Sequence, residues 1–151
     1  MNTIKGNLIK LAQSGEFDIV IHGCNCFCTM GAGIAKQIKK AFPKAYELDK
    51  MTAKGNLDKL GTFTVAYLRN KELAIVNAYT QFGYGRNQCH ADYDAIRSVF
   101  QSLANDIKEK CPNARIGYPA IGAGHAGGDW DIISKIIDKE FEGLDHTLVL
   151  L

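Results

Sequence analysis

Twice in 151 residues the chain runs a short apolar strand into a glycine-rich loop and then directly into a helix, which restricts it to an α/β arrangement. The first passage is Phe17-Asp18-Ile19-Val20-Ile21, followed by His22-Gly23-Cys24-Asn25-Cys26-Phe27-Cys28-Thr29-Met30-Gly31-Ala32-Gly33-Ile34-Ala35. The second is Pro119-Ala120-Ile121-Gly122-Ala123-Gly124-His125-Ala126-Gly127-Gly128-Asp129-Trp130. Glycine lets a backbone approach a ligand closely, and the first N–H groups of a helix have no partner inside it. A phosphate or pyrophosphate satisfies them. Two such loops on neighbouring strands could grip one pyrophosphate from both sides, so a nucleotide-like ligand is expected.

The pattern differs from the dinucleotide fingerprint. No third glycine follows Gly31 and Gly33 at the required offset, and no acidic residue closes a second strand about 20 residues on. A Gly-x-Gly alone carries little information. Here His22 and Asn25 accompany it, and the second loop repeats it.

Length and a 46% hydrophobic content suit one domain over residues 1–151, with no linker or internal repeat dividing it. The net charge of +2 is small and scattered, giving no strong nucleic-acid signal. Lys36, Lys39, Lys40 and Lys44 read as the solvated face of one helix. No apolar run reaches membrane-spanning length, and Met1-Asn2-Thr3-Ile4-Lys5 lacks the apolar core of a signal peptide. A cytoplasmic monomer without a membrane contact is expected. Five cysteines, with Cys24, Cys26 and Cys28 at single-residue spacing, fit neither a disulfide framework nor a zinc knuckle. They read as small apolar fillers, with no metal and no cofactor expected.

The periodicity predicts strands over 2–5, 17–22, 61–68, 72–78, 115–118 and 146–151, with Arg69-Asn70-Lys71 turning a hairpin. Helices are expected from Leu8 to about Ala12, over 31–42, over 44–52, from Asp92 to before Pro112, and over 130–141. Asp92 and Asp129 read as N-caps and Trp130 as core. The segment Tyr79 to Gly85 follows a strand end and either lines a site or turns. His90 reads as an exposed loop residue, whereas His125 stands inside the second glycine loop.

Gly6-Asn7-Leu8 after the first strand, then His-Gly-Cys-Asn-Cys, Met-Gly-Ala-Gly-Ile-Ala and Pro-Ala-Ile-Gly-Ala-Gly-His-Ala-Gly-Gly-Asp-Trp, resemble a macro domain from about residue 2 onward. Within that family the chain is most similar to the ADP-ribose-1″-phosphate phosphatases. The resemblance is specific at both loops and weaker between residues 45 and 90. It implies a three-layer α/β/α sandwich around a six-stranded mixed sheet, with ADP-ribose or a derivative as ligand. It also implies that Asn7 and Leu8 lie beside adenine and that Met30, Gly31, Ala32, Gly33 and Ile34 cradle the diphosphate. Asn25 would bond the distal ribose, and Ala120, Ile121, Gly122, Ala123, Gly124, His125, Ala126 and Gly127 would close over it.

His22 matches the histidine implicated in the phosphatase chemistry of these relatives, and imidazole chemistry suits a nucleophile or proton carrier near neutral pH. Three positions depart from the wider family. Asn7 stands where many macro domains carry aspartate, so its contact with adenine lacks charge assistance. Ala126 stands where many carry an aromatic residue. The lysine and aspartate of the glycohydrolase branch are missing, because no lysine occurs between Lys71 and Lys108 and Ala126 occupies the aspartate position. The expected activity is hydrolysis of the phosphomonoester of ADP-ribose-1″-phosphate, with His22 and Asn25 carrying the chemistry. The alternatives are a non-catalytic ADP-ribose reader and a hydrolase of ADP-ribosyl groups on protein or nucleic acid.

Overall fold

The computed structural model describes every residue except Lys71, Arg86 and Asn87. Six strands form one sheet: β1 (Asn2–Lys5), β2 (Ile19–Cys24), β3 (Phe63–Leu68), β4 (Leu73–Tyr79), β5 (Arg115–Tyr118) and β6 (Asp145–Leu150). Their order is β1-β6-β5-β2-β4-β3, parallel throughout except for the antiparallel pair β3 and β4. Parallel neighbours need crossovers, and the helices supply them. These are α1 (Leu8–Gln13), α2 (Gly33–Ala41), α3 (Pro43–Lys50), α4 (Tyr93–Lys110) and α5 (Trp130–Glu140).

The apolar residues dictate which helices cover which face. On α4 the buried Ala95, Ile96, Val99, Phe100, Leu103, Ala104 and Ile107 recur at helical spacing. They meet Ile133, Ile137 and Phe141 over the strand residues Ile19, Ile21, Val76, Ile116 and Tyr118. On the opposite face Leu8, Ile9, Ala12, Ile38 and Ala45 pack on Val20, Ile75 and Tyr79. The result is the expected three-layer sandwich.

Local chemistry sets the element ends. Asp92 accepts from the Ala95 N–H at 2.9 Å and Asp129 from the Asp131 N–H at 2.9 Å, so both act as the N-caps the sequence predicts. Pro43 opens α3, where its missing N–H costs nothing, placing that helix one residue earlier than expected. The strand predicted over 17–22 is shifted to Ile19–Cys24, because pairing with β4 continues through Gly23 and Cys24. The hairpin forms as predicted, with Arg69 and Asn70 at positive φ; Lys71 lies outside the described residues. A 3-10 turn over Leu57–Lys59 has no counterpart in the periodicity reading.

β2 and β5 are neighbours, so the two glycine loops leave the same end of the sheet side by side. At the other end Arg115 fixes the starts of these strands through a bidentate pair with Asp18, at 2.9 and 3.1 Å. The Arg115 guanidinium holds the Asp18 carboxyl below its ordinary range.

Candidate functional site

A cleft of about 540 Å³ opens at the carboxyl ends of β2 and β5, between the two glycine loops. That is where open α/β sheets place ligands. One wall is Thr29 to Ala35 and the other Pro119 to Gly122 with Gly124, His125 and Ala126. Cys28 and Met30 sit at φ 58° and 40°, left-handed values unusual for side-chain-bearing residues, so the first loop holds a strained turn where it meets α2. Met30 is buried in the core and anchors that turn.

The N-cap of α2 is Ala32, which has no side-chain acceptor to offer. The opening N–H groups of this nine-residue helix therefore remain for a ligand, at the positive end of the helix dipole. Gly33 has φ 57°, and a Cβ there would stand 3.1 Å from Cδ2 of His125. The second loop thus reaches across to the first. It is held in a compact ring by the Gly128 N–H donating to the Gly122 carbonyl at 2.7 Å, an approach that a Cβ on Gly128 would forbid.

Beneath the cleft lies a polar layer that links β2, β4 and α3. His22 pairs with Asn77 in the sheet register, and its Nε2–H donates to Asn77 Oδ1 at 2.7 Å. Asn77 Nδ2 in turn donates to the Ala45 carbonyl at 2.9 Å and to Thr64 Oγ1 at 3.1 Å. This fixes Oδ1 as acceptor and the histidine as the Nε2–H tautomer. Burial pushes the His22 pKa down to about 4 despite that bond, so the ring is neutral near pH 7.

Two residues along the strand, Tyr79 Oη donates to Asp49 Oδ1 at 2.8 Å. Asp49 belongs to the cleft wall, is 1% exposed, and its Oδ2 has no partner among the described residues. Burial raises its carboxyl pKa, against opposing effects from the Tyr79 hydroxyl and the Lys59 ammonium. Lys59 is buried too; its Nζ donates to the Cys26 carbonyl at 3.1 Å and to Cys28 Sγ at 3.4 Å, and lies 4.7 Å from the Tyr79 ring centre. Cys24 and Cys26 are the apolar fillers expected from the sequence, whereas Cys28 contacts Lys59 and the Asp49 carbonyl.

Most residues singled out from the sequence converge on the cleft. Asn25, Met30 through Ile34, Ala120 through Gly122, Gly124, His125 and Ala126 all line it. Asn25 is braced, donating to Thr29 Oγ1 at 2.7 Å and accepting from the Phe27 N–H at 2.8 Å. Ala123 and Gly127 belong to the same loop but stand outside the wall, Gly127 packing on the backbone of Gln88 and Cys89.

Two placements correct the sequence reading. His22 is fully buried with Nε2 committed to Asn77 and is not among the residues that line the cleft. Asn7 caps α1, accepting from the Lys10 N–H at 3.0 Å, and Leu8 is core; neither lines this hollow. Of the Tyr79 to Gly85 segment, Gln81, Tyr84 and Gly85 line the cleft. His90 is half-buried rather than exposed.

Asp49 was missed, although a signal existed. Ala45 and Asp49 are four residues apart on one buried helix face, and a carboxylate at such a position is rarely there for packing. Among the described residues, no helix is long and apolar enough to cross a membrane.

The chain is similar to known proteins in sequence and in fold. An uncharacterised 17.5 kDa protein of Enterobacteria phage T4 is 40% identical over 149 residues, covering 97% of this chain and 93% of the relative. An ADP-ribose 1″-phosphate phosphatase of Meyerozyma guilliermondii is 44% identical over 164 aligned positions, covering 92% and 93%. The solved macrodomain of Thermus aquaticus DarG shares the fold, with a TM-score of 0.77 at 21% identity over 99% of this chain and 97% of that one. The macro domain family model matches residues 21–137, a span that begins within β2 at Ile21 and contains both glycine loops and the polar layer between them. With that match and the two-loop cleft, the chain belongs to the macro domain family.

Proposed function

We propose that the protein binds ADP-ribose derivatives in this cleft and hydrolyses the phosphomonoester of ADP-ribose-1″-phosphate. The observation that carries the reading is the pair of facing glycine loops above an uncapped helix N-terminus, in a chain with full-length relatives named for this activity. The N–H groups opening α2 receive the diphosphate, Gly33 keeps that approach clear, and the loop from Gly122 to Ala126 closes over the distal half. Asn25, braced by Thr29 and the Phe27 N–H, is preorganised beside the distal ribose.

His22 acts as a positioning residue in this reading. Neutral and bonded to Asn77, it holds the end of β2 against β4 and so fixes where Asn25 emerges. No lysine occurs between Lys71 and Lys108, which favours phosphate release over removal of ADP-ribose from protein. The protein works in the cytoplasm as a monomer.

The test is phosphate release from ADP-ribose-1″-phosphate, assayed beside release of ADP-ribose from an ADP-ribosylated protein. Phosphate release with an intact ADP-ribosylated protein is expected. Binding of ADP-ribose with no phosphate release would make the protein a reader, and the opposite selectivity would make it an ADP-ribosyl hydrolase.

A further inference from the structure

Asp49 combines three features that the packing of α3 does not require. It forms part of the cleft wall, it is 1% exposed, and one of its two carboxyl oxygens has no hydrogen-bond partner among the described residues. A buried carboxylate oxygen without a hydrogen-bond partner is costly, and such a group at a cleft calls for a functional account. Tyr79 Oη holds Oδ1 at 2.8 Å and leaves Oδ2, itself shielded from solvent, as the unpartnered oxygen.

We propose that Asp49 is the proton donor to the leaving ribose oxygen, with Oδ2 as the donating atom; the assignment rests on the phosphatase reading above. Water attacks phosphorus as the bond from phosphorus to the C1″ oxygen breaks, leaving its electron pair on that oxygen. The Oδ2 proton passes to the oxygen and makes the ribose hydroxyl. The attacking water returns one proton to the Asp49 carboxylate, so ADP-ribose and hydrogen phosphate leave with the acid restored. An ionised carboxylate would repel the phosphate, so the acid must be neutral when substrate binds. Burial favours that form, as in other sites where an acidic side chain is kept protonated for catalysis. The groups that face it or act on its charge are Tyr79 from β4, Lys59 from the 3-10 turn, and Cys24, Cys26 and Cys28 from the end of β2 and its loop. Of these, only Lys59 and the Tyr79 hydroxyl favour the ionised carboxylate.

Asp49→Asn preserves the acceptor for Tyr79 and removes the proton. Its kcat for phosphate release should fall at least ~100-fold, the usual scale for a positioned acid, with KM and ADP-ribose affinity changed no more than about threefold. Wild-type kcat should decline as pH rises through the Asp49 pKa, and the residual activity of Asp49→Asn should lack that decline. Tyr79→Phe should move the decline to higher pH, because it removes a bond that favours the ionised form. An Asp49→Asn enzyme that keeps a third or more of wild-type kcat overturns the proposal, as does a raised KM at constant kcat. Should that variant fail to fold, an unmoved decline in Tyr79→Phe overturns it equally. A wild-type enzyme that releases no phosphate takes down the phosphatase reading and this assignment together, and the wild-type trace alone identifies that case.

Discussion

On its α4 and α5 side the sheet presents Ile19, Ile21, Val76, Ala78, Ile116 and Tyr118 to an apolar pair of helices. On its α1 to α3 side the same strands present His22, Cys24, Asn77 and Tyr79, interleaved with Val20 and Ile75. Both faces are buried, yet they are built for different ends. The first carries one buried polar pair, His146 Nδ1 with Tyr118 Oη at 2.6 Å, enclosed by Phe100 and Phe141. The second carries a connected layer from His22 through Asn77 to α3, and from Tyr79 to Asp49. The first face is almost wholly apolar, and the second combines an apolar cluster with a set of oriented polar groups under the cleft.

That contrast breaks down if a core cut on the apolar face disturbs the ligand. Phe100 is fully buried, edge-on to Phe141 at 4.8 Å and to Tyr118 at 6.2 Å. Phe100→Ala should cost about 3–5 kcal/mol in denaturant unfolding. The folded fraction should bind ADP-ribose as the wild type does, by calorimetry.

Acid sharpens the comparison. The His22 pKa of about 4 in the fold lies below the unfolded 6.5, so the unfolded chain takes up the proton first as pH falls. The stability from burying neutral His22 is complete above pH 6.5, and is lost progressively as pH falls from there toward 4. The loss is on the order of 3 kcal/mol, at about 1.4 kcal/mol for each pKa unit. His146, on the other face, is shifted in the same direction, chiefly by burial. His22→Gln, which retains a donor for Asn77, should remove most of this slope in urea titrations from pH 7 to 4.5. A slope left unchanged would assign the acid sensitivity to the Tyr118 and His146 pair.

On the cleft side, Gly33→Val should lower ADP-ribose affinity at least ~100-fold, or about 2.7 kcal/mol, while the protein still folds. Its φ of 57° is poor for a β-branched residue, and the new side chain meets His125. The smallest effect is at the edge of the polar face. Asn7→Ala removes the cap of α1 and should cost about 1 kcal/mol of stability. A much larger loss of ADP-ribose affinity than of stability would restore Asn7 to the adenine contact that the family resemblance implies.

The loops were legible in the sequence because their information is local: glycine spacing, a strand before and a helix after. The helix and strand order was legible for the same reason, through periodicity and the caps Asp92 and Asp129. The polar layer was not. His22, Asp49, Lys59, Asn77 and Tyr79 come from four separate segments, and only the parallel register of β2 with β4 sets His22 opposite Asn77. The sequence places His22 at the end of an apolar strand as a candidate nucleophile or proton carrier. Its side chain instead follows the alternation of β2 onto the α3 face, with Val20 and Cys24.

A second hollow supplies the most direct test of where the ligand goes. It measures about 700 Å³, larger than the cleft, and lies at the other end of the strands between β3, β4 and the C-terminal half of α4. It is lined by Phe63, Val65, Leu103 and Ile107 and has neither glycine loop, so size alone would favour it and chemistry does not. Titration of ¹⁵N-labelled protein with ADP-ribose, followed by amide chemical shifts, separates the two. The largest shifts should fall at residues 31–35 and 120–126, with the amides of 63–67 and 103–111 unmoved. Shifts centred on 63–67 and 103–111, with the glycine loops silent, would contradict the placement of the nucleotide between the loops.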